Sequence, residues 1–165
     1  MLDDLDVALL TTLHAHPRIG DMELSRVAKV ARATVQSRLR RLQDAGVITS
    51  WAPELDVAAA GFPVQAFVTL EIAQGALEQV AADLAAIPQV LEAYVTTGSA
   101  DVLCKVATAS HADLQVTLLR INGSPAVVRS TSVVALSVLI APRIMPLLES
   151  GGSAGGGRAP AYRRR

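Results

Sequence analysis

Apolar positions along the chain fall into two regimes, helical first and strand-like afterwards. Leu2, Leu5, Leu9 and Leu13 are spaced three, four and four apart, which puts them on one stripe of a helix. Asp3, Asp4 and Asp6 crowd the start of that helix, where the peptide dipoles favour negative charge. Pro17 ends it, because proline has no N–H to donate and its ring clashes with the preceding turn. A short second helix is predicted over residues 22–29, with Asp21 as its N-cap and Leu24, Val27 and Ala28 facing inward. A third is predicted over 33–45, with Gly46 placed to take the left-handed conformation that closes a helix. Residues 47–51 read as a short strand and 52–63 as a connector.

From Val64 onward the character changes. Strand-like runs at 64–72, 90–97, 102–108 and 127–140 alternate with two helical stretches, 76–86 carrying Leu77, Val80, Leu84 and Ile87, and 112–121 carrying Leu114, Leu118 and Ile121. The order is βαββαβ, the ferredoxin-like pattern. The fold class predicted is α+β: a winged helix-turn-helix over 1–52, a linker over 53–63, a ferredoxin-like domain over 64–149, and a flexible Gly-rich, basic tail over 150–165. The last strand is apolar on both sides through Val133, Val134, Leu136, Val138, Leu139 and Ile140. Such a strand must be covered on both faces. The two helices cover one, and a second subunit is expected on the other.

Composition adds less than charge placement does. Hydrophobic residues make up 51% of the 165 positions, which argues against disorder, and aromatics only 3%, so the core is aliphatic. The formal net charge of zero hides an uneven distribution. Arg26, Lys29, Arg32, Arg38, Arg40 and Arg41 fall within residues 26–43 with no acidic residue among them. Arg158, Arg163, Arg164 and Arg165 gather at the end. One basic patch on a neutral chain suggests local binding of an anion such as DNA. Cys104 stands alone, so no intrachain disulfide can form, and a buried thiol in a cytoplasmic protein is the expectation. The acidic stretch 1–6 is unlike a signal peptide, and no apolar run is long enough to span a membrane, so no membrane partner is expected.

Placed around the axis of the third helix, Val35, Leu39 and Leu42 form its core stripe. The opposite face carries Ala33, Gln36, Ser37, Arg40 and Arg41, with Arg38 on the flank. Small residues permit close approach to a major groove, Gln can pair with adenine, and Arg with guanine, each through two hydrogen bonds. Arg32, Arg38 and Arg41 are placed to reach phosphates. An arginine-rich face is also what an ordinary solvated helix shows. The three short helices around a tight turn, with a strand after them, favour the DNA reading.

The N-terminal half, through Leu2-Asp3-Asp4, Asp6, Leu9-Leu10, Arg18-Ile19, Glu23-Leu24-Ser25, Thr34-Val35, residues 38–42 (RLRRL) and Gly46-Val47-Ile48, resembles the Lrp/AsnC (feast/famine) regulators. The second half continues the likeness with Gly61-Phe62, Ala66-Phe67-Val68, residues 87–90 (IPQV), 97–101 (TGSAD) and 124–127 (SPAV). The resemblance implies a transcriptional regulator: a DNA-binding head whose reading helix includes Ala33 and Thr34, and a ferredoxin-like effector domain. It also implies homodimers that stack into tetramers or octamers, with amino acids as usual effectors. Two departures stand out: Lys29 where the turn usually has Gly, and Ala31 where Ser usually caps the reading helix.

The segment Thr97-Gly98-Ser99-Ala100-Asp101 reads as a turn between strands. Its backbone N–H groups and the hydroxyls of Thr97 and Ser99 could bind a carboxylate, and Asp101 an ammonium, which together describe an α-amino acid. The same residues are ordinary hairpin chemistry, with Asp101 bonding its own turn. The resemblance places the effector at this loop, between dimers, with Thr131, Ser132 and Val134 of a neighbouring strand contributing. Some relatives of the family are tetrapyrrole decarboxylases, which makes an enzyme the rival reading. A regulator that has lost DNA binding is another, prompted by Lys29 and Ala31. Against an enzyme, no CxxC, HExxH or phosphate loop is present. His14 and His16 flank no Cys or carboxylate cluster, and His111 sits at a helix start, where capping or solvent exposure suits it better than catalysis. Glu92 and Asp101 could pair across strands. No catalytic residue, metal or cofactor is expected.

Overall fold

The computed structural model describes residues 2–152. They form two compact units, residues 2–53 with 141–152, and residues 54–140.

The first unit contains α1 (Asp4–Ala15), α2 (Asp21–Ala28), α3 (Arg32–Asp44) and α6 (Met145–Gly152). Asp3 caps α1: its carboxylate accepts the Asp6 N–H at 2.9 Å, and the Asp3 N–H is returned to Asp6 Oδ2 at 3.0 Å. This reciprocal box satisfies two N–H groups that the helix start would otherwise leave without partners. The apolar stripe meets its counterparts as the spacing requires: Leu9, Leu24 and Val35 are buried together, with Leu5, Leu13, Ile19, Ala28, Val30 and Leu39 packed around them. Leu42 is buried as well.

The turn between α2 and α3 is made by residues poorly suited to it. Lys29 closes α2 in the left-handed conformation, φ 54°, ψ 39°. Glycine adopts that conformation without strain and lysine does not. Ala31 occupies the N-cap of α3 and offers no side-chain bond. Gly46, at φ 69°, follows the C-cap Ala45 as expected.

Three expectations are corrected in this unit. Asp21 is the first residue of α2 and Gly20 its N-cap, so Asp21 makes no cap bond of its own. Residues 47–51 form no strand, and the helix-turn-helix has no wing among the described residues. An isolated strand needs a neighbour to satisfy its N–H and C=O groups, and the described residues of the unit contain none. Finally, a helix forms at Met145–Gly152, a stretch that the sequence divides between the end of the second domain (145–149) and the tail (150 onward). It packs on α1, with the Thr11 hydroxyl 3.5 Å from Glu149 Oε1. The rest of the expected tail, with Arg158, Tyr162 and Arg163–165, lies outside the described residues.

The second unit is the ferredoxin-like one. β1 (Val64–Ile72), α4 (Leu77–Ala85), β2 (Val90–Val95), β3 (Val102–Thr108), α5 (His111–Asn122) and β4 (Val127–Ala135) build an antiparallel sheet in the order β2-β3-β1-β4. Side chains alternate faces along a strand. Ala66, Val68 and Leu70 of β1 and Val102, Cys104 and Val106 of β3 are buried with Val80, Leu84, Leu114 and Ile121 of the helices. Burial pushes the Cys104 thiol up to about 11, so it stays protonated at neutral pH. Ser110 caps α5 by accepting the Asp113 N–H, which leaves His111 exposed at the first helical position.

β4 is shorter than expected. It ends at Ala135, opposite Gln65, because β1 supplies no partner beyond Val64. Residues 136–140 continue out of the sheet with Leu136 and Leu139 almost fully exposed. β2 likewise stops at Val95 rather than Thr97.

The uncapped start of α3 gives a direct test. Ala31→Ser supplies the missing acceptor and stabilises the first unit by about 0.5–2 kcal/mol. Urea unfolding followed by helix signal checks this; an unchanged midpoint shows that the cap is satisfied some other way.

Candidate nucleic-acid interface and effector loop

The outward side of α3 follows from the burial of the inward one. With Val35 and Leu42 buried, Arg32, Ala33, Gln36, Ser37, Arg40 and Arg41 are exposed, and Thr34, Arg38 and Leu39 are half-buried. Gln36 is held in place: its Nε2 donates to Asp21 Oδ2 at 2.9 Å, so the acid that does not cap α2 orients a residue on the outward side of α3 instead. Among the described residues Arg32 and Arg40 make no ion pair.

Arg38 and Arg41 are placed differently from the free phosphate contacts expected of them. Arg38 Nη1 donates to Asp6 Oδ1 at 3.1 Å and to Asp3 Oδ2, and Arg41 Nη2 donates to Asp6 Oδ2. Asp6 is wholly buried. The four groups sum to zero charge: two carboxylates against two guanidiniums. The Arg38 hydrogen bond, helped by the Asp6 N–H, lowers the Asp3 carboxyl to about 2. Its hydrogen bonds to the Asp3 and Asp6 carboxylates raise Arg38 above its usual value. Sequence reasoning read Asp3 and Asp6 only as dipole partners of α1. The signal available was their spacing of three, which fits a capping box, but nothing local announced the arginine partners 32 and 35 positions away.

In the second unit the segment 97–101 is the turn between β2 and β3, and Gly98 sits at φ 120°, open to glycine and strained for any other residue. Thr96 N–H donates to Asp101 O at 2.9 Å and Thr96 Oγ1 to Ala100 O at 2.8 Å. Asp101 does not bond its own turn with its carboxylate. Its Oδ2 accepts the Ile72 N–H at 2.8 Å, while its own N–H donates to Leu70 O at 2.9 Å. This pins the loop to the end of β1, where the β1–β4 register shifts between Glu71 and Ile72. Thr97, Gly98, Ser99 and Asp101 are exposed.

Thr131, Ser132 and Val134 are exposed on β4, but β1 lies between that strand and the loop. Adjacent strands stand about 4.8 Å apart, so one protomer does not bring the two sets together. Nor does it pair Glu92 with Asp101: Glu92 instead accepts the Tyr94 hydroxyl at 2.6 Å and faces Lys105 at 3.9 Å.

The sheet face away from the helices carries Phe67, Tyr94, Leu103 and Val133, with Phe67, Tyr94 and Val133 exposed. A cavity of about 400 Å³ lies between α4 and α5 on the other side, lined by Val80, Leu84, Ile87 and Ile121 with Asp83 and Arg120. Its carboxylate is occupied, since Asp83 accepts Gln79 Nε2 and the Ser124 hydroxyl.

Two family descriptions match the chain: the AsnC-type helix-turn-helix domain over residues 2–43 and the Lrp/AsnC ligand binding domain over 65–145. The HTH-type transcriptional regulator AldR of Mycolicibacterium smegmatis is 33% identical over 117 residues, 69% of this chain and 68% of AldR. Among solved structures, AsnC of E. coli is 26% identical with a TM-score of 0.83, covering 88% of this chain and 99% of that one. The transcriptional regulator NMB0573 of Neisseria meningitidis, solved in complex with L-Met, is 25% identical with a TM-score of 0.78, covering 86% of this chain and 94% of its own.

The depressed Asp3 carboxyl sets a pH window. A group whose folded pKa lies below its unfolded value stabilises the fold above the unfolded value and loses that contribution as pH falls towards the folded one. The Asp3–Arg38 contribution is therefore complete above about 4 and lost towards about 2. Carboxyl NMR titration of the protein should find Asp3 in that low range, and Arg38→Ala should move it up towards 3.8. An Asp3 that titrates normally in the wild type rules out the contact.

Proposed function

The chain belongs to the Lrp/AsnC family of DNA-binding transcriptional regulators, and on that footing we propose how its residues divide the work. α3 enters the major groove, with Gln36 and Arg40 at base edges and Ala33, Thr34 and Ser37 allowing close approach. Arg32 meets phosphate with its full charge. Arg38 and Arg41 meet phosphate as members of a neutral cluster, through the donors that their carboxylate partners leave free. The observation that carries this reading is the exposed row Ala33, Gln36, Ser37 and Arg40 standing opposite the buried Val35 and Leu42.

The second unit assembles the protein and takes the effector. A second copy covers the sheet face bearing Phe67, Tyr94, Leu103 and Val133, since apolar side chains left in water there gain by burial. The two heads of the dimer then meet half-sites about 34 Å apart or a multiple of that. Dimers stack into tetramers or octamers, which supplies from a neighbouring protomer the Thr131, Ser132 and Val134 that β1 keeps away from the loop in the same chain.

The effector is an α-amino acid, in keeping with the L-Met complex of the Neisseria relative. Backbone N–H groups around Gly98 and the hydroxyls of Thr97 and Ser99 take its carboxylate. Asp101 takes its ammonium through Oδ1, its Oδ2 being committed to Ile72. Aliphatic and small polar neighbours suit an apolar side chain. The role is regulatory rather than catalytic, it is exercised where the chromosome is, in the cytoplasm, and it needs no cofactor.

Gel-shift and fluorescence titration against the upstream region of the protein's own gene test the DNA reading. Arg40→Ala is expected to lose about 1–3 kcal/mol on the preferred site and much less on scrambled DNA. Equal binding of both DNAs by the wild type, or an Arg40→Ala variant with unchanged preference, removes α3 from the reading role.

Calorimetry with the twenty amino acids tests the effector site. The wild type should sediment well above its 17.3 kDa protomer mass and bind an amino acid. Asp101→Ala should keep that assembly and the DNA binding but lose the ligand. The assignment fails if an equally assembled Asp101→Ala protein binds as tightly as the wild type.

A further inference from the structure

Asp6 is a buried charge that base reading does not require. Capping α1 uses its N–H and one lone pair of Oδ2, and a neutral side chain could do both. A carboxylate withdrawn from water must instead be matched by a cation, and here it is matched by two from the recognition helix. Arg38 and Arg41 lie three apart on α3, side by side on one flank of the helix. Their side chains stay 29% and 51% exposed although Asp6 is not exposed at all. A guanidinium carries five N–H donors. The clamp uses a minority of them, so both arginines keep donors for an outside anion while their charge is already cancelled from within.

We infer that Asp6 is a positioning residue for DNA recognition: it fixes the orientation of Arg38 and Arg41 against the flank of α3 and, together with Asp3, neutralises them, so that they align phosphates by geometry while adding little charge-driven affinity for arbitrary sequence. The inference rests on the DNA-binding reading above. Its consequence is discrimination. Affinity for any DNA grows with each phosphate neutralised by a net cation, whereas preference for one site is a difference between two affinities. A basic helix with two of its charges cancelled from α1 and its cap keeps directional contacts and sheds part of the undirected ones. Asp3, exposed and paired with Arg38 but not with Arg41, does the lesser half of the same task.

The test is Asp6→Asn in the full chain, with binding to the preferred fragment and to a scrambled fragment of equal length measured across about 50–200 mM salt. Asparagine keeps the shape and an acceptor but removes the charge. The expected result is tighter binding of scrambled DNA at low salt and a salt slope steeper by about 0.9, the value for the one charge freed. Preference for the specific fragment should fall severalfold, and Arg41→Gln added to Asp6→Asn should return part of the slope. A purely structural Asp6 would weaken both DNAs with no steepening, and that outcome overturns the inference. If Asp6→Asn does not fold, Asp3→Asn decides the question through a slope steeper by up to about 1; an unchanged slope there counts against the inference. A wild type that distinguishes no DNA defeats the DNA-binding reading and this inference with it. A wild type that discriminates, beside an Asp6→Asn variant of equal slope, defeats this inference alone.

Discussion

A carboxylate with no access to water organises the first unit. Asp6 enters the interior because the α1 stripe, Leu5, Leu9 and Leu13, turns that side of the helix towards α2 and α3. Once buried, the charge has to be met by partners at fixed distance, since an uncompensated buried ion costs several kcal/mol. Arg38 and Arg41 meet it from α3, Asp3 joins from the cap of α1, and these contacts tie α3 to the start of α1 beside the apolar seam. The same helix can then present Gln36, Ser37 and Arg40 outward as a consistent row.

A second carboxylate does a parallel service in the other unit. Asp101 accepts the Ile72 N–H where the β1–β4 register slips, and so ties the β2–β3 turn to the central strand. The turn that carries the proposed effector contacts is thereby attached to the sheet rather than left as a free hairpin tip. A ligand that engages Asp101 acts on a group already bonded to β1, and β1 is the strand flanked by both β3 and β4. The two units thus share a design in which an acidic side chain joins a local turn or cap to an element distant in sequence.

Weak local chemistry is tolerated where packing is strong. Lys29 holds a left-handed backbone and Ala31 an empty cap, each unfavourable by itself. The turn persists because Leu24, Val35, Ala28 and Val30 on its two sides pack into one apolar cluster with Leu9. Neither departure from the family pattern disturbs the helix-turn-helix. The sheet shows the complementary rule: apolar propensity without a partner is not enough. Residues 136–140 are as strand-like as any in the chain, yet they leave the sheet where β1 ends.

The periodicity of apolar residues was sufficient to determine the three N-terminal helices, the βαββαβ order and the inward stripe of α3, because 3.6-residue and two-residue repeats are local properties of the chain. Gly46 and Gly98 were equally legible, since each marks a turn that other residues enter with strain. What the sequence could not decide were the matters that depend on partners far along the chain. A strand at 47–51 and a longer β4 were plausible from composition and failed for want of a neighbouring strand. Met145–Gly152 became a helix against α1 although its Gly-Gly end reads as linker. Above all, the sequence presents Arg38 and Arg41 as free basic residues and Asp3 and Asp6 as helix-start acids. Only the tertiary structure brings the four together, because a buried charge is paired by proximity in space and not by spacing along the chain.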